Sequence, residues 1–506
     1  MPIINSIVSW LNIKRLHQID LFMKYPFDVQ KDTLFRLLER ASHTKIGMEL
    51  GFSGFKTIDD FQRQVPLHSY DELKHYVSRI MEGEQNLLWP SEIKWFAKSS
   101  GTTSDKSKFI PVSMESLEEC HFRGGKDAIA IYTRNNPNSK ILTGKGLTLG
   151  GSHKISSYSN QSYYGDLSAI LIENLPFWAH FIRTPSQEIA LMDEWEKKLE
   201  LITRETIHDN VTNIAGVPSW NLVLISHILQ HTGKKNLLEI WPNLELFTHG
   251  GVSFIPYREQ FKKVIPSESM NYMEVYNASE GFFALQNDPS QDDMLLMLDY
   301  GIFYEFVPVS EIDSPEPKAL TIADVKTGVN YALVITTNGG LWRYLIGDTI
   351  IFTSLFPHKI KISGRTKHFI NAFGEEIIID NAENALKIAC EKTNSTINEY
   401  TAAPVYMTHN TKGSHEWVIE FEKEPDDIDY FTKILDIALC SMNSDYEAKR
   451  YKNITLEMPV IRKIDKGTFY KWLSNKGKLG GQNKVPRLSN DRKYVEEIMD
   501  IVHNAN

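Results

Sequence analysis

The run Ser99-Ser100-Gly101-Thr102-Thr103-Ser104-Asp105-Lys106-Ser107-Lys108 carries the sharpest local signal for chemistry. Small hydroxylated residues around a glycine let backbone N–H groups and hydroxyls converge on an anion. Two lysines add positive charge. The pattern G-x-x-x-x-G-K-[ST] is absent, so this is not a Walker A loop. The same composition also serves an ordinary polar loop. A second cluster is Tyr276-Asn277-Ala278-Ser279-Glu280-Gly281, where a carboxylate at a strand end stands beside an aromatic ring and small residues. That suits a magnesium–nucleotide contact, or a strand–turn junction with a solvated glutamate. A third is Trp342-Arg343-Tyr344-Leu345-Ile346-Gly347-Asp348, whose aspartate could accept hydrogen bonds from two sugar hydroxyls or sit in a turn. Gly364-Arg365-Thr366-Lys367 and Gly480-Gly481-Gln482-Asn483-Lys484-Val485-Pro486-Arg487 are two further basic, glycine-containing stretches. Each also reads as a linker or a surface turn.

Helical and strand-like periods alternate along the chain, which favours an α/β class. Amphipathic spacing predicts helices over Phe27 to Leu50, Glu194 to His208 and Trp220 to Trp241, the last broken near Thr232-Gly233. Strand-like runs precede the first two clusters, Ile93 to Ala97 and Tyr272 to Val275, and the third lies within a hairpin over Ala332 to Thr353 turning at Asn338-Gly339-Gly340. Met294 to Val309 reads as two β-rich runs around Asp299-Tyr300-Gly301, and Ser310 to Pro317 as an exposed loop. After Gly364-Arg365 the pattern changes to a short strand at Phe369-Ile370, a turn at Phe373-Gly374 and a helix from Asp380 to Lys392. A boundary here gives a large domain over residues 1–365 and a small one over 366–506.

Acidic residues outnumber basic ones by 64 to 55, a formal charge of −9 that argues against a general nucleic-acid binder. Three widely spaced cysteines, Cys120, Cys390 and Cys440, allow neither a disulfide framework nor a zinc pattern, and suit a reducing compartment. Lys14 and Arg15 interrupt the apolar N-terminal run, so a signal peptide is not expected. Nowhere do ~18 uninterrupted apolar residues occur, so no membrane span is expected. The expectation is a cytoplasmic chain of two or more cores.

In order and spacing together, the clusters resemble the Gretchen Hagen three (auxin-responsive) family of acyl-acid amido synthetases, within the adenylate-forming superfamily. The family's S-S-G-T-[ST]-x-G-x-x-K loop is similar to Ser99 to Lys108, with Asp105 where glycine is usual. Its Y-x-[AS]-S-E is matched by Tyr276 to Glu280. Its Y-R-x-x-x-G-D is matched from Arg343 to Asp348, with Trp342 in place of tyrosine. The superfamily hinge pattern is echoed by Gly364-Arg365, Ile370 and Gly374-Glu375, and the late Q-x-K-x-P-R by Gln482, Lys484, Pro486 and Arg487.

The resemblance implies an adenylate-forming, acyl-CoA synthetase/luciferase-like α/β fold, with a large N-terminal domain and a smaller, mobile α+β C-terminal domain. It implies a ligase that uses ATP and Mg2+ to adenylate a small carboxylic acid and passes the acyl group to an amino acid or other amine. No nucleic acid or membrane partner is expected. Residue by residue, Ser99, Ser100, Gly101, Thr102, Thr103 and Lys108 would hold the phosphates. Glu280 would help hold the metal. Tyr276 would lie against adenine with Asn277 at its edge, Ala278 and Ser279 completing that motif. Asp348 would take the ribose hydroxyls with Arg365 close by, and Lys484 would stabilise the transferring group. The acyl pocket would draw on the helix around Leu117 to Tyr132, with Arg123 a candidate carboxylate partner and Gly250 and Gly251 lying against adenine or acyl group. An acyl-CoA ligase on the same fold, or a non-catalytic nucleotide-binding protein, are the competing readings.

Overall fold

The computed structural model describes residues 2–100, 107–149, 156–159, 161–192, 194–252, 254, 257–312, 314–365, 369–408, 411–453, 455–476 and 485–503. Helices Pro2–Lys24 and Pro26–Ala41 open the chain. The second starts at Pro26, where a missing N–H costs nothing, and buries Gln30, Leu34, Leu37, Leu38 and Ala41 along one stripe. The single helix expected over Phe27 to Leu50 is divided. The Thr44 hydroxyl accepts from the Gly47 N–H and starts a separate helix, Lys45–Leu50, which ends at Gly51 with φ 72°.

An eleven-stranded mixed sheet forms the body of the protein. Arg183–Thr184, Lys145–Thr148, Val211–Gly216, Leu246–His249 and Asn271–Ala278 run parallel, in an order that brings their carboxyl ends together. The sheet continues antiparallel through Gly281–Leu285, Met294–Leu296, His358–Arg365, Tyr344–Leu355, Asn330–Thr337 and Ile302–Pro308. The hairpin expected over Ala332 to Thr353 is present, with Ile335 opposite Tyr344. The helix expected from Trp220 breaks near Thr232-Gly233, as the sequence predicts. It spans Pro218–Thr232 and terminates at Gly233 with φ 67°. Trp241 follows a separate turn and is buried, donating Nε1–H to the Thr206 carbonyl. A four-stranded sheet, Ser107–Val112, Trp95–Ser100, Ser162–Gly165 and Ser156–Ser159, stands beside the body.

Beyond residue 369 a smaller α+β domain is built on the sheet Thr396–Val405, Ser414–Lys423, Val460–Ile464. Alternation along its strands sends Ala402, Trp417 and Ile419 to one face, against helices Ile379–Thr393 and Ile428–Met442. Ala403 and Val418 go to the other face, against Phe469, Trp472, Val495 and Ile498. The last two belong to a terminal helix, Lys493–His503. The first of these faces is continuous with the apolar cluster beneath the parallel strands, where Tyr257 packs edge-on against Tyr406 and donates to the Ala372 carbonyl at 2.6 Å. All three cysteines are free thiols. Among the described residues no helix is long and apolar enough to cross a membrane.

Candidate active site

Ligands of open α/β sheets gather outside the carboxyl ends of the strands. Gly250 and Gly251 follow Leu246–His249 there, beside the end of Asn271–Ala278. A Cβ on Gly250 would stand 2.4 Å from the Val275 carbonyl oxygen and 3.2 Å from Asn277 Oδ1, so only glycine permits this approach. Gly251 holds φ 81°, and its carbonyl accepts from Asn371 of the small domain at 3.5 Å. Asn277, Ala278, Ser279 and Glu280 lie where Asn271–Ala278 turns into Gly281–Leu285, with Ala278 opposite Gly281. Glu280 therefore occupies the tip of a tight hairpin.

Tyr276 and Asp348 meet directly. The buried Tyr276 hydroxyl donates to Asp348 Oδ2 at 2.6 Å. Asp348 lies inside the strand Tyr344–Leu355 rather than in a turn. There Thr349 pairs with Ala332 and Leu345 with Val334, so residues 346–348 bulge out of register around Gly347, whose φ is 95°. Asp348 is the register partner of Arg365, the last residue of the adjacent strand. Thus the second, third and fourth sequence clusters converge.

The hydroxyl-rich run emerges from a hairpin in which Ser99 pairs with Lys108 and Ser100 with Ser107. Gly101, Thr102, Thr103 and Lys484 lie outside the described residues, and Ser100 and Arg365 are placed by their backbone. The hairpin is braced from two sides. Ser107 donates to Ser444, the first residue of helix Ser444–Arg450 in the small domain, at 3.1 Å. Ser113, just beyond the hairpin, donates to the Asn338 carbonyl at 2.7 Å.

Other members of the sequence clusters hold the fold. Arg343, at φ 42°, is buried and paired with Glu305 at 2.8 Å. Its Nη1 also donates to the Gln62 and Val65 carbonyls. Trp342 is fully buried and donates to the Leu88 carbonyl. Glu375 accepts from the Ala372 and Phe373 N–H groups and from His415 Nε2 at 2.8 Å. Burial opposes its ionisation, yet these bonds hold its pKa below the usual carboxylate range. Arg123 donates to the Asp299 carbonyl at 3.0 Å. It sits on helix Phe122–Asn135, which continues from a π-helical turn, Ser116–His121.

His249 borders the glycine pair. Burial, with Arg258 nearby, pushes its pKa down to about 3, so the imidazole is neutral, stacked on the Phe254 ring. Among the described residues no group of three or more His, Cys, Asp or Glu side chains is arranged to hold a metal ion. A single carboxylate such as Glu280 fits Mg2+ only together with phosphate oxygens, which is how that ion is commonly held. Sequence reasoning missed the small domain's contribution: Ser444 at the hairpin, Asn371 at Gly251, and Lys449 over the Trp220 ring at 5.0 Å. None stands in a motif, and each matters only through long-range packing.

The chain is 23% identical over 560 aligned residues to the indole-3-acetic acid-amido synthetase GH3.3 of Arabidopsis thaliana, covering 95% of this chain and 92% of that one. Its fold is similar to that of an AtGH3.15 acyl acid amido synthetase in complex with 2,4-DB, with a TM-score of 0.63, 17% identity, and 97% and 96% of the two chains covered. It is also similar to a 2-hydroxyisobutyryl-CoA ligase in complex with 2-HIB-AMP and CoA, with a TM-score of 0.57, 12% identity, and 94% and 92% coverage. The GH3 family N-terminal, central and C-terminal domain models match residues 15–270, 295–365 and 380–493 in that order. With all three of its domains present in sequence, the chain belongs to the GH3 family.

Proposed function

We infer that the convergence of Tyr276, Asn277, Gly250 and Asp348, together with the hydroxyl-rich hairpin, forms the nucleotide site of the family's reaction. The chain is an ATP-dependent acyl-acid amido synthetase, a ligase that forms carbon–nitrogen bonds through an acyl-adenylate. In the first step a carboxylate oxygen of the acid attacks the α-phosphorus of ATP and the bond to pyrophosphate breaks. In the second, the nitrogen of an amine attacks the acyl carbonyl, AMP leaves, and the amine gives up a proton. Activation is needed because a carboxylate has no good leaving group, whereas AMP is one. The first step brings anions together, so the site must neutralise charge that develops on the phosphates.

The observation that carries the reading is the Tyr276–Asp348 bond, which joins two separated sequence clusters at the carboxyl edge of the sheet. Tyr276 would face adenine with Asn277 at its edge. Asp348 would take the ribose hydroxyls beside Arg365. Ser99, Ser100, Gly101, Thr102, Thr103 and Lys108 would surround the phosphates. Glu280 would help hold Mg2+, which would supply further charge neutralisation at the phosphates. Lys484 would act from the small domain, whose movement about residues 365–367 would separate the two steps. The division into domains at 365/366 is part of this proposal, supported by the separate sheet beyond residue 369. The acid would enter beside Gly250, Gly251 and the helix carrying Arg123.

Product identity tests the reading. Purified protein given ATP, Mg2+, a panel of carboxylic acids and pooled amino acids should release AMP and form an amide. Efficient thioester formation with CoA, and no amide with any amino acid, would overturn it.

A further inference from the structure

We propose that Lys449 receives the carboxylate of the acceptor amino acid and so positions it for the second step. The inference rests on the amido-synthetase reading above and assigns a binding role within it.

Lys449 lies on helix Ser444–Arg450. That short element touches the large domain at two places. Its first residue, Ser444, is hydrogen-bonded to Ser107 at the phosphate-side hairpin. Five residues later the Lys449 ammonium stands over the ring of Trp220. Trp220 belongs to the first turn of helix Pro218–Thr232, directly after the carboxyl end of Val211–Gly216. The linking residue Val217 packs on Gly251, since a Cβ at that glycine would touch Val217 Cγ2 at 3.4 Å. The ammonium is thereby held where the small domain meets the residues that follow the carboxyl end of that strand.

Its charge is uncommitted. The neighbouring cations are engaged: Arg450 with Asp436 at 2.6 Å, and Lys452 with Glu196 at 3.0 Å. Among the described residues Lys449 has no ion pair, and its charge faces only the aromatic ring. The stem is fixed as well, because a Cβ at Gly374, where φ is 90°, would approach Lys449 Cε to 3.2 Å. A half-buried lysine packed on an aromatic face, without a carboxylate, in a chain with net charge −9 is poised for an external anion. ATP's phosphates have their own hairpin. The anion left to bind in the second step is the acceptor's carboxylate, which would hold the amine near the adenylated carbonyl.

The test compares an accepted amino acid with its own carboxamide as acceptor, for wild type, Lys449→Gln and Lys449→Arg, using an acid already shown to release pyrophosphate. Losing this charge-assisted contact should raise KM roughly ten-fold or more. Lys449→Gln should show that rise for the amino acid and little change for the carboxamide, and Lys449→Arg should restore the preference. Equal losses for both acceptors, or an unaltered preference in Lys449→Gln, would overturn the assignment while leaving the amido-synthetase reading intact. Wild type that releases pyrophosphate but forms no amide would overturn both.

Discussion

The hydroxyl of Tyr276 and the carboxylate of Asp348, 72 residues apart in sequence, are joined at 2.6 Å. Their strands are four steps apart in sheet order. At a spacing of about 4.8 Å per strand, a flat sheet would separate them by about 19 Å. The bond therefore requires the antiparallel half to curl toward the parallel strands, and the bulge at residues 346–348 supplies local bending. A concave site results from the curvature of one sheet.

Removing either partner should impair nucleotide use. Tyr276→Phe deletes a donor to a buried carboxylate, a contact of about 1.5–3 kcal/mol. The KM for ATP in acid-dependent pyrophosphate release should rise roughly ten-fold, with circular dichroism unchanged. Wild-type kinetics in Tyr276→Phe and in Asp348→Asn would show that the pair only braces the sheet.

Arg343 should act on stability. Arg343→Met leaves Glu305 buried without its cation, which costs about 3–5 kcal/mol in comparable buried pairs. Denaturant titration should show that loss, and Arg343→Met combined with Glu305→Leu should recover much of it. A single variant as stable as wild type would refute the assignment.

Acid should weaken the fold through its buried histidines. Burial depresses the His249 pKa to about 3 and that of His121 to about 4. Above pH 6.5 both are neutral in folded and unfolded chains. As pH falls below 6.5 the unfolded chain binds protons that the folded one does not, so stability declines. Each group contributes about 1.4 kcal/mol per pH unit until its folded pKa is reached. His249→Phe should lower the slope of stability against pH by one proton between pH 6 and pH 4, measured by denaturant midpoints. An unchanged slope would place the protonation elsewhere.

Lys484 should matter to the rate more than to affinity. An interaction made only in the transition state lowers turnover without much change in ground-state binding. Lys484→Ala should bind ATP nearly normally by calorimetry and release pyrophosphate slowly. Lost ATP binding with normal turnover at saturation would contradict that role.

Much of this was legible in the sequence because the signals are local. The turn at Asn338-Gly339-Gly340, the break at Gly233 and the strand–turn context of Tyr276 to Glu280 follow from glycine chemistry and alternation. Other features were not local. The division of the helix near Thr44 depends on one hydroxyl cap in an otherwise unbroken period. The placement of Asp348 within a strand depends on a bulge that only pairing with Asn330–Thr337 and His358–Arg365 defines. Arg343 reads as part of a functional motif, yet the Glu305 that fixes it lies 38 residues away. Lys449 carries no motif at all, and its position emerges only when the small domain meets Trp220.

The nucleotide products formed in the absence of any acceptor test the central claim most directly. Wild type incubated with ATP, Mg2+ and a panel of carboxylic acids should release pyrophosphate, with the AMP moiety retained on the acid, and Asp348→Ala should lose that release. Formation of ADP and phosphate, or no acid-dependent cleavage of ATP across the panel, would contradict the account.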